Sequence, residues 1–245
     1  MIVEGNSVAE CWLSLLKIMV DNKVNEISPV VVNIKVTNDA PVYMYDLEED
    51  LNAFLANIGQ PCIETTASTI FPESLSHGKR SGFDRFDRVW KYVKYDTKNR
   101  NGHYFRRLTS YGEKYGRKIN QLEHIIDAYN GIPGERKPTH RRSALIATTF
   151  DPTLDHSAQR QRGFPCLQQV CFVPNKKSEL SLNAIYAMQY LSDRAYGNYV
   201  GLIRLGVYMA REMGLEMVEL NCIVSVLGLG KMKKSLASDI VRKYC

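Results

Sequence analysis

The strongest constraint on the fold is a strand-rich middle enclosed by helical patterns on both sides. Ala144 to Phe150, Cys166 to Val173 and Leu180 to Tyr190 read as strands, and Met217 to Leu227 as a buried strand. Between the last two, Tyr196 to Met213 reads as a long helix closed by Gly214. Towards the N-terminus, Ser7 caps an amphipathic helix reaching Asn22, on which Val8, Cys11, Trp12, Leu15, Leu16 and Met19 recur at three- and four-residue steps. Pro29 to Val36 is a predicted strand. Leu47 to Ile58, ended by Gly59, Ile119 to Tyr129, stopped by Gly131 and Pro133, and Ser235 to Tyr244 are predicted helices. Helices at both ends of a strand-rich middle give an α+β fold, expected as one domain over residues 1–245.

Composition excludes two broad classes. With 44% hydrophobic and 24% charged residues the chain has enough apolar side chains to build a core, so a disordered polymer is excluded. No stretch approaches the roughly 18–20 apolar residues of a membrane helix. The start, Met1-Ile2-Val3-Glu4, lacks a basic-then-apolar leader, so a cytoplasmic location is expected. Six cysteines show no CxxC pair, so neither a zinc site nor a disulfide framework is expected; their default is a small buried hydrophobe.

Charge is unevenly placed. Ser76 to Lys118 holds 13 Lys/Arg against 4 Asp/Glu, while the remaining residues hold 19 against 22. One segment makes the chain basic, and it faces an anion or lies in solvent. Its turn residues Gly78, Gly82, Asn99, Asn101 and Gly102 predict long loops with a short helix near Phe86 to Tyr95. Nucleic-acid binding through this segment ranks low, because it carries no recognition motif.

Four local features carry chemistry. Gly163-Phe164-Pro165-Cys166 places a cysteine at the start of a strand, either as an attacking thiolate supported by cations such as Arg141, Arg142, Arg160 or Arg162, or as a buried structural residue. Arg141 and Arg142 open a strand and offer the forked geometry that suits phosphate or carboxylate. Tyr111 sits among glycines and charges, as a phenol able to relay a proton or as part of an amphipathic loop. Asn198 begins the long helix, as a cap or as an amide matching the edge of a uracil-type base.

In order, these features resemble the thymidylate synthase and pyrimidine hydroxymethylase superfamily, most closely its shorter archaeal type, from about Tyr111 to Gly214. The resemblance implies a mixed β-sheet flanked by helices and a homodimer joined sheet to sheet. It implies a pyrimidine nucleotide and 5,10-methylenetetrahydrofolate as reactants, with no membrane partner. Cys166 is then the nucleophile, Tyr111 assists removal of the C5 proton and Glu73 orders the relay water. Asn198 reads the base, Arg141 and Arg142 reach the partner's nucleotide phosphate, and Trp90 lines the folate site. The family's Arg-Ser-x-Asp is not intact: one register leaves Ala187 to Tyr190 there, another Tyr190 to Asp193, rescuing only Asp193. The sugar-holding His-x-Tyr is also missing, with Ser225 to Leu229 in its region. The absent phosphate arginine points to Arg106, Arg107 or Arg194 as substitutes. It also motivates an alternative, a non-catalytic nucleotide-binding or regulatory protein of the same fold.

Overall fold

The computed structural model describes residues 1–36, 44–72, 74, 81–95, 103–156, 158 and 165–245. The chain begins with β1 (Ile2–Gly5), α1 (Val8–Asp21), β2 (Glu26–Ile27) and β3 (Val30–Lys35). Helices α2 (Tyr45–Asn57), α3 (Ile63–Ile70), α4 (Ser81–Val93), α5 (Tyr104–Thr109) and α6 (Gln121–Asn130) follow. Then come β4 (Ile146–Thr148), α7 (Pro152–Asp155), β5 (Leu167–Pro174), β6 (Glu179–Tyr186) and β7 (Gln189–Tyr190). The chain closes with α8 (Tyr196–Met213), β8 (Glu216–Val224), β9 (Leu227–Gly228) and α9 (Lys234–Tyr244).

Six strands form a mixed sheet in the order β1-β3-β8-β6-β5-β4, with β1–β3 and β6–β8 parallel and the other pairs antiparallel. The parallel β6–β8 pair needs a crossover, and α8 supplies it by packing on both strands. A three-stranded sheet, β2-β9-β7, lies beside it. Alternation along the strands separates two faces. Val32, Ile34, Leu182, Ala184, Leu220, Cys222, Val170 and Phe172 are buried in the core with α1 and α8.

The other face is only partly buried and carries a polar ladder across three strands. The Asn33 side-chain amide donates to Asn221 Oδ1 at 2.6 Å, and that of Asn221 donates to Asn183 Oδ1 at 3.0 Å. Glu219 accepts from Lys35 at 2.8 Å and from Ser181 at 2.9 Å. Beside this ladder Val31, Ile223, Ile185, Gln169 and Thr148 follow one another in register across five strands.

Helix α3 sits unusually close to α8. A Cβ on Gly197 would lie 2.7 Å from Thr66 Cβ, and one on Gly201 would lie 2.6 Å from the Ala67 carbonyl oxygen. Glycines four residues apart open a groove along α8 that receives the α3 backbone. Most other expectations hold to within a few residues, including Ser7 accepting from Glu10 N–H at 3.1 Å and Gly214 closing α8 at φ 69°. The expected strands Leu180–Tyr190 and Met217–Leu227 each divide, their first parts β6 and β8 lying in the six-stranded sheet and their ends β7 and β9 in the other. Three more expectations differ. The Ala144–Phe150 strand shrinks to Ile146–Thr148, preceded by a 3-10 turn at Arg142–Ala144. The basic segment holds two helices, α4 and α5, rather than one short one. Asn198 caps nothing: the helix begins two residues earlier, continuing from a π-turn at Leu191–Ala195.

Candidate functional site

Cys166 lies just before β5, and its backbone is fixed from three sides. Its N–H donates to the Tyr104 hydroxyl at 3.1 Å, and the N–H of Leu167 donates to the same oxygen at 3.3 Å. The Cys166 carbonyl accepts from Ala187 N–H at 3.0 Å and from the Gln168 amide at 3.2 Å. Gln168 is the extra residue where the β5–β6 register shifts, so a bulge directly follows the cysteine. An attacking group held this firmly needs little reordering when it reacts.

Burial pushes the Cys166 thiol up, and the Arg194 guanidinium partly offsets this by favouring the thiolate. Burial also pushes the Tyr104 phenol up, reinforced by Cys166 beside it. Tyr186, paired with Leu167, is wholly buried with its hydroxyl unpartnered among the described residues, and it too senses Cys166 and Tyr104. Tyr104 and Tyr186 were not anticipated from sequence. No spacing signal marks them, because the contacts join positions 62 and 20 residues from the cysteine.

Arg194 is carried by the π-turn. That turn is anchored by Trp12, whose indole N–H donates to the Leu191 carbonyl at 2.9 Å. Asp193 Oδ1 secures it further by accepting from Ser192 Oγ at 2.6 Å and from Lys231 N–H at 2.8 Å. Gly230, at φ 91°, passes so close that a Cβ there would meet Asp193 Oδ1 at 2.4 Å. π-turns occur preferentially at functional sites, since the extra residue per turn redirects side chains. Here Asp193 faces the loop and Arg194 donates to Gln60 Oε1 at 2.8 Å. Asn198, four residues on, is 5% exposed, and its amide has no hydrogen-bond partner among the described residues.

Arg194 also lines a cavity of about 530 Å³ between α3 and α4. One wall is Pro61, Thr65, Ser68 and Thr69; the other is Phe86, Val89 and Val93, with His103 at the side. Burial holds His103 neutral, pushed down to about 4. Trp90 is absent from that lining: it packs behind, stacked on Phe86 at 5.9 Å and edge-on to His103 at 5.5 Å, with Arg106 over its ring.

The other anticipated residues form no hydrogen bond with Cys166 or Arg194 among the described residues. Tyr111 is half-buried, in a β-bridge with Ile119; burial and the nearby Asp151 raise its phenol, while Arg107 opposes them. Arg141 and Arg142 are exposed at the turn leading into β4, the edge strand. Glu73, Arg160 and Arg162 lie outside the described residues. The default for cysteines fails at Cys62 and Cys245, which are exposed. At Cys62 burial raises the thiol, but hydrogen bonds from the Thr65 side chain and from the N–H groups of Thr65 and Glu64 outweigh it, leaving the thiol below its usual value. The described residues contain no cluster of His, Cys, Asp or Glu able to hold a metal, and no described helix is long and apolar enough to cross a membrane.

Cys166 senses the half-buried Arg194, and Arg194 in turn borders a ligand-sized cavity, an arrangement that can support covalent thiol chemistry. Among known proteins, the chain is 27% identical over 209 residues to a curated protein of Methanocaldococcus jannaschii named "Putative thymidylate synthase". That match spans 83% of this chain and 84% of the archaeal protein. No family model matches the chain.

Proposed function

We propose that this chain transfers a one-carbon unit, methyl or hydroxymethyl, from 5,10-methylenetetrahydrofolate to C5 of a pyrimidine nucleotide or a related compound through a Cys166 adduct. The observation that carries this reading is the fixed Cys166, flanked by Tyr104 and Arg194, in a chain similar along most of its length to the archaeal protein. The Cys166 thiolate adds to C6, leaving C5 as a carbon nucleophile towards the one-carbon unit. The C5 proton is then lost and the thiolate expelled, which restores the ring double bond; a methyl product would take the two electrons it needs as hydride from the reduced folate, and a hydroxymethyl product would take up water instead. Asn198 offers its donor and acceptor to the base edge. Proton removal falls to Tyr111 with water ordered by Glu73, and Tyr104 is the phenol that borders the cysteine. The folate, when bound, supplies carbon at the oxidation level of formaldehyde. Phe86 and His103, with Trp90 packed behind them, offer the flat surface that such a heterocycle needs.

Two copies are expected to pair through the open sheet face, with Arg141 and Arg142 at its edge reaching the partner's substrate. Incubation with methylenetetrahydrofolate and tritiated uridine or cytidine nucleotides tests the reaction. Release of tritium from C5, abolished in Cys166→Ala, is expected; no release from any nucleotide sinks the reading. The raised thiol of Cys166 favours a second reading, a non-catalytic nucleotide-binding protein of this fold. That reading predicts equal ligand affinity in the parent and in Cys166→Ser, and no turnover in either.

A further inference from the structure

The backbone around Cys166 depends on a helix far from it in sequence. Pro165, just before it, has no N–H, and β4 pairs with β5 only from Gln169 to Cys171. The start of β5 therefore has a strand neighbour, β6, on one side alone. The N–H groups of Cys166 and Leu167 converge instead on one oxygen, the Tyr104 hydroxyl, at 3.1 and 3.3 Å. Two successive N–H groups aimed at one acceptor fix both peptide planes. The Cα–Cβ bond of Cys166 then has one direction, and the sulfur keeps only its rotation about χ1.

Tyr104 can impose this because α5 is itself held along its length. Phe105 is fully buried, edge-on to Phe86 at 4.6 Å and to Phe71 at 5.5 Å. Arg106 is ion-paired with Asp87 of α4 and with Glu113, and lies over Trp90. Arg107 forms a two-pronged pair with Asp155, at 2.9 Å on each prong, and donates to the Thr149 carbonyl at 3.1 Å. Thr149 in turn donates its N–H to the Gln168 carbonyl at 2.9 Å and its hydroxyl to the Leu167 carbonyl. Helix α5 thus grips the start of β5 twice, by its N–H groups through Tyr104 and by its carbonyls through Arg107 and Thr149. His103, next to Tyr104, lines the α3–α4 cavity and packs against Phe86 at 5.6 Å. Adjacent residues therefore face the cavity and the cysteine.

We propose that Tyr104 is a positioning residue for the Cys166 nucleophile: its hydroxyl fixes the backbone that aims the thiol, and α5 links that hold to the cavity wall. The hold itself follows from the hydrogen bonds; the role of Cys166 as nucleophile rests on the proposed one-carbon reaction. A thiolate that must meet one ring carbon gains from such aim, since a misplacement of about 1 Å can cost roughly 100-fold in rate. Tyr104 acts through Cys166 and has no need to touch the substrate.

Tyr104→Phe keeps the ring and its packing and removes only the oxygen. Isotopic labelling of the cysteine nitrogens gives one backbone amide signal for each of the six cysteines, and Cys166→Ala and Cys222→Ala identify two of them. In Tyr104→Phe the Cys166 amide is expected to exchange with deuterium roughly 10- to 100-fold faster, as a locally opened group does. The Cys222 amide, on β8 between β3 and β6, is expected to keep its rate. In C5 tritium release, kcat is expected to fall roughly 10- to 100-fold with KM within about threefold, the mark of lost alignment rather than lost binding. Unchanged exchange at Cys166, or an unchanged kcat once its protection is lost, overturns the proposal. So does a rise in KM alone, which would make the phenol a substrate contact, and so does equal acceleration at Cys166 and Cys222, which would make it a general stabiliser. Selective release of the Cys166 amide in a chain whose parent liberates no tritium leaves the hold on Cys166 standing and removes the one-carbon reading.

Discussion

At the residue scale, ionisation decides which thiols react. Burial raises Cys166 above the ordinary thiol value of 9.0, with Arg194 opposing it, so the reactive thiolate gains population only as pH rises past that value. Alkylation followed peptide by peptide in a mass spectrometer should therefore show Cys62 modified first at neutral pH. Cys166 should react increasingly above pH 9, with its midpoint moving higher still in Arg194→Met. A midpoint unmoved by that substitution would show that the guanidinium does not act on the thiol. The position of Cys166 just before a strand was legible in the sequence. The groups that tune it were not: Tyr104 and Arg194 reach it through folding, and a linear sequence does not encode which distant side chains a strand start will meet.

At the scale of elements, helices with a clean apolar stripe were readable, and those stabilised by neighbours were not. α1 and α9 each bury one face, and α8 is bounded by a left-handed glycine. α3, Ile-Glu-Thr-Thr-Ala-Ser-Thr-Ile, is full of β-branched and hydroxyl side chains that disfavour a helix in isolation. It is a helix because α8 offers it the Gly197 and Gly201 groove. Filling that groove has a measurable cost. Gly201→Ala drives a methyl into the Ala67 backbone and should destabilise by about 1–3 kcal/mol, the usual cost of overpacking. At Gly206 the obstacle is the flexible end of Met217, and the helix gains about 1 kcal/mol of propensity from alanine. Gly206→Ala should therefore be near neutral. Chemical denaturation of both variants checks this; equal losses would mean that α3 does not depend on the groove. Since α3 forms one cavity wall, Gly201→Ala should also weaken ligand binding.

At the scale of the whole molecule, the open sheet face governs assembly and acid stability. Sedimentation is expected to show a dimer that Ile223→Glu converts to a monomer, because this side chain stands 37% exposed beside the amide ladder. A monomeric parent removes the sheet-to-sheet pairing. On the same face Glu219 is held down to about 2, by Lys35 first and then by Asn33, Ser181 and Asn221. A carboxylate held below its unfolded value of 4.5 stabilises the fold above that pH, and the gain is lost as pH falls towards 2. With Lys35 half-exposed and screened, the contribution is on the order of 2 kcal/mol. Glu219→Gln should flatten the acid limb of stability between pH 4.5 and 2, and an unchanged limb would assign acid sensitivity elsewhere. This polar face was hidden in the sequence, where Asn33, Asn183 and Asn221 stand far apart and only strand register brings them into one row.

The π-turn at Leu191–Ala195 has a consequence for how this chain compares with its relatives. A turn closed one residue late behaves as a local insertion, and deleting that residue would swing everything before it by about 100° around the helix axis. The bearing of Arg194 relative to Asn198 would change with it, while the apolar side of α8 stayed in place. Position-by-position matching across this junction compares side chains that point in different directions, so equivalence here is better judged by which cation enters the cavity than by which letter aligns.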